Sequence, residues 1–144
     1  MRRRIAHVAQ IGALVLALAL VPAALAAKGG GGRHGGGGTT SGGGSISLAP
    51  LVTDKNANGL LNWADTVTFN ISTTATSQPW VNLKCYQNKV LVAEGWNGYF
   101  DGSLTGRNFM LASPAWTGGA ADCTAYLTNP SWTVLASTSF HVDA

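Results

Sequence analysis

The stretch that decides the fold runs from Asp54 to Asp65, DKNANGLLNWAD, and continues into Thr66 to Thr74, TVTFNISTT. The second part is rich in β-branched residues and alternates apolar with polar side chains, which is typical of a half-buried strand. The first part is polar, and it has a glycine where a sharp turn is needed. A polar loop that leads directly into a strand favours a β fold and argues against a helix–loop–helix.

The spacing of oxygen-bearing side chains in this loop matches that of a calcium-binding loop. Ca²⁺ takes about 6 to 8 oxygen ligands, so a short loop must turn its alternate side chains toward one point. Gly59 permits the backbone turn that this requires. The alternative is that the Asn and Asp side chains form local turns without a metal. The candidate ligands for a structural calcium ion are Asp54, Asn56, Asn58, the backbone carbonyl of Leu60, Asn62 and Asp65.

The loop and the strand together resemble the N-terminal part of bacterial immunoglobulin-like surface-repeat domains. The motif of those domains runs roughly D-x-N-x-[ND]-G-x-x-x-x-G-D-T-[IV]-[TV]-[YF]. The resemblance implies an immunoglobulin-like β-sandwich on an exported bacterial protein. The residues that carry it are Asp54, Asn56, Asn58, Gly59, Asp65, Thr66, Val67, Thr68 and Phe69.

The first 27 residues have the three-part plan of a secretory signal peptide: an arginine cluster, an apolar run and a small-residue end. Cleavage is expected after Ala26 or Ala27. Residues 28–45, KGGGGRHGGGGTTSGGGS, are predicted to form a flexible glycine-rich linker. We therefore expect a secreted, extracellular protein. The alternative is a membrane-tethered protein whose leader stays uncleaved as an anchor.

Charge is divided unevenly along the chain. The calculated pI of about 9.1 depends on the arginines and lysine of the leader and linker, whereas residues 46–144 hold four Lys or Arg and six Asp or Glu, a net charge of −2. Nucleic-acid binding requires a basic face, so this composition gives it no support, and we expect no nucleic-acid partner. Residues 46–144 have the size of a single domain with one core.

Short strands separated by regular turn signals predict an all-β sandwich of about seven strands. Alternation along three of these strands predicts which side chains face the core. They are Val67, Phe69, Ile71, Val81, Leu83, Cys85, Cys123, Ala125 and Leu127. On the last strand the expected interior residues are Trp132, Val134, Ala136, Phe140 and Val142. The predicted strands are 46–52, 66–74, 80–87, 90–95, 107–112, 121–128 and 133–142.

Cys85 and Cys123 are the two cysteines of the chain, both on inward phases, which predicts a disulfide in an exported protein. The run ADCTAYL around Cys123 resembles the penultimate strand of immunoglobulin-like domains, where a cysteine commonly faces the core. Because Cys85 belongs to the third predicted strand, we expect the bridge to join neighbouring strands of one sheet.

Two surfaces are candidates for binding. The outward phase of the predicted strands carries Trp80, Tyr86 and Tyr126 together with Asn82 and Leu135, and those three aromatic rings are expected to form a patch. The loop 95–106, GWNGYFDGSLTG, adds Trp96 and Tyr99, with Phe100 and Asp101. The alternative is that both sets only stabilise the fold, as a cross-strand aromatic ladder and as edge packing.

Residue types that would support catalysis are scarce. The predicted domain has a single histidine, His141, and no serine or cysteine in a nucleophile motif. We therefore expect a non-catalytic, extracellular binding or adhesion module whose partner is a protein or a glycan. The alternatives are a purely structural immunoglobulin-like surface domain and a carbohydrate-binding module that uses exposed aromatic residues.

Overall fold

All the elements that the structure describes are β-strands. The computed structural model describes residues 38–40 and 42–144, and the predicted signal peptide, 1–27, lies outside them. The nine strands of the described part are β1 Gly38–Thr40, β2 Gly44–Leu48, β3 Thr66–Val67, β4 Phe69–Thr73, β5 Trp80–Gln87, β6 Val90–Gly98, β7 Phe109–Met110, β8 Ala121–Thr128 and β9 Val134–Val142.

The strands form three antiparallel sheets. The largest has five strands in the order β1-β9-β8-β5-β6, and the pairs β2-β4 and β3-β7 make two smaller sheets. One hydrophobic core joins residues of all three, including Ile46, Phe69, Leu83 and Phe109. The prediction of an all-β fold is confirmed, and the arrangement is consistent with a β-sandwich.

Strand boundaries follow the sequence most closely in the centre of the large sheet. β5 and β8 begin and end where the alternation predicts. Asn88 and Lys89 have φ angles of 49° and 69°, as the two-residue turn between β5 and β6 requires. The predicted strand 66–74 is divided at Thr68, because the chain changes partner there: Val67 pairs with Phe109 of β7, and Phe69 pairs with Leu48 of β2.

The end of the predicted linker is ordered. Gly38–Thr40 pairs with residues 136–138 of β9, and Gly44 and Ser45 begin β2 opposite Thr73 and Ser72. Strand pairing uses backbone groups, so a segment with few side chains can join a sheet edge. The rest of that linker, residues 28–37 and 41, lies outside the described residues.

Two expectations about the last strands are wrong. Trp132 and Val134 are 58% and 49% exposed, whereas Leu135, expected outside, is buried. The register between β8 and β9 shifts at Leu127/Thr128, so the alternation that holds from Ala136 to Val142 does not extend back to Trp132. Asn82 was also expected to be exposed, but it is buried on the outer side of the sheet.

The predicted disulfide between Cys85 and Cys123 is present. The two cysteines are register partners on β5 and β8, so the bridge joins neighbouring strands of one sheet, as expected. Both residues are buried in the core. Over the described residues, we find no apolar helix of membrane-spanning length.

Candidate functional site

Four aromatic side chains meet at one end of the large sheet and form what we call the aromatic cluster: Trp80, Trp96, Phe100 and Trp132. The ring centroids of Trp96 and Trp132 are 4.7 Å apart, and those of Trp80 and Trp132 are 6.3 Å apart. Phe100 packs on Trp80 with a centroid separation of 5.5 Å. Trp96 and Trp132 are 39% and 58% exposed. The cluster is therefore a continuous aromatic surface open to solvent.

Strand register explains how two members of the cluster come together. β6 extends to Gly98, three residues beyond its predicted end, so Trp96 lies on the strand opposite Asn82 and not in a loop. Trp80 lies opposite Gly98. A Cβ added at Gly98 would lie 2.8 Å from the ring of Phe100, which is too close. The absence of a side chain at Gly98 therefore lets Phe100 fold onto Trp80.

Trp132 reaches the cluster from the turn between β8 and β9. Its backbone N–H donates to the carbonyl of Asn129 at 2.9 Å. The Asn129 side-chain oxygen accepts the N–H groups of Ser131 and Thr133 at 3.0 and 2.9 Å. Trp132 has a φ of 62°, the left-handed region that bulky residues rarely adopt. Strained residues of this kind concentrate at functional sites, which makes Trp132 a candidate ligand contact.

Tyr86 and Tyr126 lie on the outer face of the same sheet but are not part of the cluster. Tyr126 is the register partner of Asn82 and Ser137, and Tyr86 is the partner of Asp122. Among the described residues, no ring–ring contact includes Tyr86 or Tyr126, and the ring of Trp80 contacts those of Phe100 and Trp132 instead. The structure thus gives Trp80 a different set of aromatic neighbours from the one expected from sequence.

Tyr99, another candidate surface residue, belongs to the core. It is 8% exposed, and its hydroxyl donates to the carbonyl of Arg107 at 2.7 Å and accepts the N–H of Phe69 at 3.2 Å. Burial raises the pKa of the Tyr99 hydroxyl above its ordinary value of 10.0. The ring packs under Arg107, whose guanidinium lies 5.7 Å from its centroid. Tyr99 therefore connects β4 to the loop after β6, and only a small part of it is exposed, at the edge of the groove next to Phe100.

An open groove of about 560 Å³ begins at Phe100. Its walls come from the connection between β4 and β5 and from the loop after β6, and they include Thr76, Ser77, Asp101 and Arg107. This volume falls within the range of roughly 300–1,000 Å³ that is usual for small-molecule sites. Because Phe100 lines the groove and also packs on Trp80, the groove and the aromatic cluster are contiguous.

The candidate calcium loop is closed by hydrogen bonds from its own side chains. Asp54 accepts the N–H of Gly59 at 2.6 Å, and Asn58 accepts the N–H of Leu60 at 2.8 Å. The amide nitrogen of Asn56 donates to the side-chain oxygen of Asn62 at 3.1 Å. These contacts match the local turns expected without a metal, and the contact between Asn56 and Asn62 joins two of the predicted ligand side chains.

The two carboxylates of this loop have different surroundings. Asp65 is fully buried, and its two oxygens accept the N–H groups of Lys55 and Asn62, each at 2.8 Å. Oδ1 of Asp54 is shielded from solvent and has no hydrogen-bond partner, which leaves a negatively charged oxygen available to a cation. In the described part of the chain, no group of three or more His, Cys, Asp or Glu side chains is placed to hold a metal. Asp54 is thus the residue here that best fits calcium.

The sequence did not indicate that Trp132 belongs to the site. Alternation along β9 placed Trp132 in the interior, and the register shift in the β8–β9 pair overrides it. The signal that was available is the turn sequence Asn129-Pro130-Ser131. A tryptophan that directly follows a tight turn does not follow the inward–outward alternation of the strand after it.

Comparison of the chain with models of known protein families finds no match, and a search of curated proteins finds no relative. Function is therefore inferred from the residues and from their placement in the fold.

Proposed function

We propose that this protein is a secreted, non-catalytic, immunoglobulin-like binding module that contacts its ligand through the aromatic cluster. The observation that carries this proposal is the position of Trp132. A strained backbone holds this tryptophan 58% exposed against Trp96 and Trp80. Exposed tryptophans give a large contact area at little entropic cost, which is why they dominate binding surfaces.

Export and the immunoglobulin-like character of the fold are parts of the same proposal. The leader plan of residues 1–27 supports export, and the disulfide fits an oxidising compartment. The loop from Asp54 to Asp65 supports the immunoglobulin-like resemblance through its motif. In this proposal calcium is structural: Asp54 provides a negatively charged oxygen, and the ion stabilises the loop beside the end of β9.

A purely structural role is the second candidate, and the ring contacts themselves favour it. Edge-to-face aromatic pairs contribute about 0.5–1.5 kcal/mol each beyond their buried area, without any ligand. On this view the cluster stabilises the turn that contains Trp132, and the protein spaces or covers a surface. Binding measurements on matched tryptophan variants separate the two candidates.

The test compares Trp132→Ala and Trp96→Ala with Trp63→Ala as the matched control. Trp63 is 38% exposed, close to the 39% of Trp96. It lies in the candidate calcium loop, beside the C-terminal end of β9, whereas Trp132 precedes the N-terminal end of that strand. Each variant is applied to an array of glycans and of purified extracellular proteins, and its folding is checked by circular dichroism. We expect both cluster variants to lose binding by about tenfold or more while Trp63→Ala retains it. Unchanged binding by both cluster variants would refute the proposed site.

A further inference from the structure

Each ring of the aromatic cluster is steeply inclined to the ring that it packs against. The interplanar angle is 70° between Trp96 and Trp132, 61° between Trp80 and Trp132, and 65° between Trp80 and Phe100. A flat surface therefore cannot lie against the faces of both rings in any of these pairs. The cluster suits a chain whose successive units present apolar faces in different directions.

The exposed aromatic area is small. Trp96 and Trp132, at 39% and 58% exposure, offer about 240 Å² together if a whole tryptophan offers roughly 250 Å². A stable protein–protein interface covers about 800 Å² on each partner. The cluster is therefore better matched to a few small rings of a ligand than to the face of a folded protein.

Hydrogen-bonding groups surround the cluster on the outer face of the sheet. Tyr126 is half-buried next to Asn82, and the hydroxyls of Thr124 and Ser139 are paired at 2.9 Å in the next row. Lys84 and Glu94 form an ion pair at 3.5 Å in the same row. A ligand that lies on the rings and extends over the sheet would therefore meet both donors and acceptors.

The groove beyond Phe100 also places hydroxyl groups next to an aromatic surface. Four of its lining residues are serines or threonines, namely Ser72, Thr73, Thr76 and Ser77. Because Phe100 faces both surfaces, a chain that leaves the cluster at Trp80 can enter the groove without crossing the core. Cluster and groove together form one elongated site.

Charges along the site occur as pairs of opposite sign. Lys84 lies 3.5 Å from Glu94, and Arg107 of the groove lies 3.9 Å from Asp101. A polyanion would meet a carboxylate beside each cationic side chain, and a polycation would meet a cationic side chain beside each carboxylate. Balanced pairs of this kind favour an uncharged ligand.

On the basis of the function proposed above, we propose that the ligand is a single, soluble chain of an uncharged polysaccharide. The chain lies over Trp132 and Trp96 and continues past Trp80 and Phe100 into the groove. A sugar ring has an apolar face of C–H groups, which the negative face of an aromatic ring attracts. It also has a rim of hydroxyls, which suits the serines and threonines of the groove. The inclined rings exclude the flat face of a crystalline polysaccharide.

The experiment titrates the purified full chain with soluble glucan, xylan and mannan, with oligomers of the best of these, and with polygalacturonate and crystalline cellulose. We expect binding to at least one neutral soluble chain, with affinity rising about tenfold between the disaccharide and the hexasaccharide. We expect little change between about 0.05 and 0.5 M salt, because an uncharged ligand releases no counterions. Crystalline cellulose and polygalacturonate should bind more weakly.

Two variants assign the parts of the site. Trp132→Ala should lower affinity for the disaccharide and the hexasaccharide alike, whereas Ser77→Gln, which narrows the groove, should lower only the hexasaccharide affinity. Thr117→Gln, exposed and outside the groove, is the control for Ser77→Gln.

Stronger, salt-sensitive binding to polygalacturonate, or affinity that does not depend on chain length, would overturn the inference. Trp132-dependent binding to a protein but to no glycan would overturn it while leaving the proposed function intact. No Trp132-dependent binding at all would overturn both.

Discussion

Cys85 and Cys123 lie directly opposite each other on β5 and β8, with their Cα atoms 4.1 Å apart. This separation is close to that of residues facing each other in a non-hydrogen-bonded antiparallel pair, about 4.5 Å. The bridge therefore links two adjacent interior strands of the five-stranded sheet, and both cysteines are buried in the core.

Removing this bridge should lower the free energy of unfolding substantially. The cysteines are 38 residues apart, so the closed loop corresponds to about 4 kcal/mol in the chain-entropy treatment. We expect the double variant Cys85→Ala/Cys123→Ala to have a urea midpoint that is lower by the amount corresponding to this free energy. Reduction of the wild-type protein should lower its midpoint nearly as much. The double variant should not respond to reductant. Equal midpoints for oxidised wild type and double variant would contradict the prediction.

The central strands could be predicted because their pattern depends on local burial alone. Along β5 and β8, Val81, Leu83, Cys123 and Ala125 alternate inward without interruption, so the bounds and the disulfide follow from the sequence. Pairing between distant segments could not be read in this way. The change of partner at Thr68 and the pairing of β1 depend on where other backbone segments lie.

The candidate site was only half predictable for the same reason. Trp80 and Trp96 could be identified as surface residues, but their contact with Trp132 depends on a register shift in the β8–β9 pair. Tyr99 was expected in a surface loop, yet its hydroxyl is held by Phe69 and Arg107 in the folded chain. A glycine-rich loop does not reveal from sequence which of its aromatic side chains turns inward.

Trp116 should be among the most sensitive core positions, although alternation did not identify it. It is fully buried, its indole N–H donates to the carbonyl of Gly119 at 3.0 Å, and its own carbonyl accepts the indole N–H of Trp63 at 2.8 Å. We expect Trp116→Ala to lower the free energy of unfolding by about 3–5 kcal/mol, because it leaves a large cavity. Urea denaturation measures this. Val90→Ala, 64% exposed, is the control and should change stability by less than about 0.5 kcal/mol.

Gly98→Ala should disturb the aromatic cluster without touching a tryptophan. The added Cβ would lie 2.4 Å from the Ser103 hydroxyl oxygen and 2.8 Å from the ring of Phe100, so Phe100 must move away from Trp80. We expect the free energy of unfolding to fall by about 1–3 kcal/mol and the near-ultraviolet circular dichroism signal from the coupled rings to weaken. Gly106→Ala, where a Cβ would meet open space, is the control. An unaltered near-ultraviolet spectrum for Gly98→Ala would show that Phe100 does not depend on this glycine.

Tyr99 should make stability depend on pH in the alkaline range. Burial raises the pKa of its hydroxyl in the folded state above the 10.0 of the unfolded chain. The folded state therefore holds this proton more tightly, so its contribution to stability is complete below about pH 9 and is lost as pH rises through the raised pKa. Tyr99→Phe should lower the free energy of unfolding by about 1–3 kcal/mol at pH 7, because the Phe69 N–H loses its acceptor. Urea titrations at several pH values should show the two proteins converging above pH 10, and a constant difference would contradict this assignment.

Calcium should raise the melting temperature through Asp54. Weak extracellular sites have Kd values of about 10⁻⁴ to 10⁻³ M, and at 100 times Kd a ligand that binds only the folded state adds about 2.7 kcal/mol. For a domain of this size that corresponds to a midpoint roughly 10–20 °C higher. Asp54→Asn keeps an acceptor for the Gly59 N–H but removes the negative charge, so its midpoint should be the same in chelator and in calcium. Asp101→Asn, fully exposed and outside the loop, should respond as the wild type does. A wild-type midpoint that calcium leaves unmoved would mean that the side-chain hydrogen bonds alone hold the loop, with Asp65 as its buried centre.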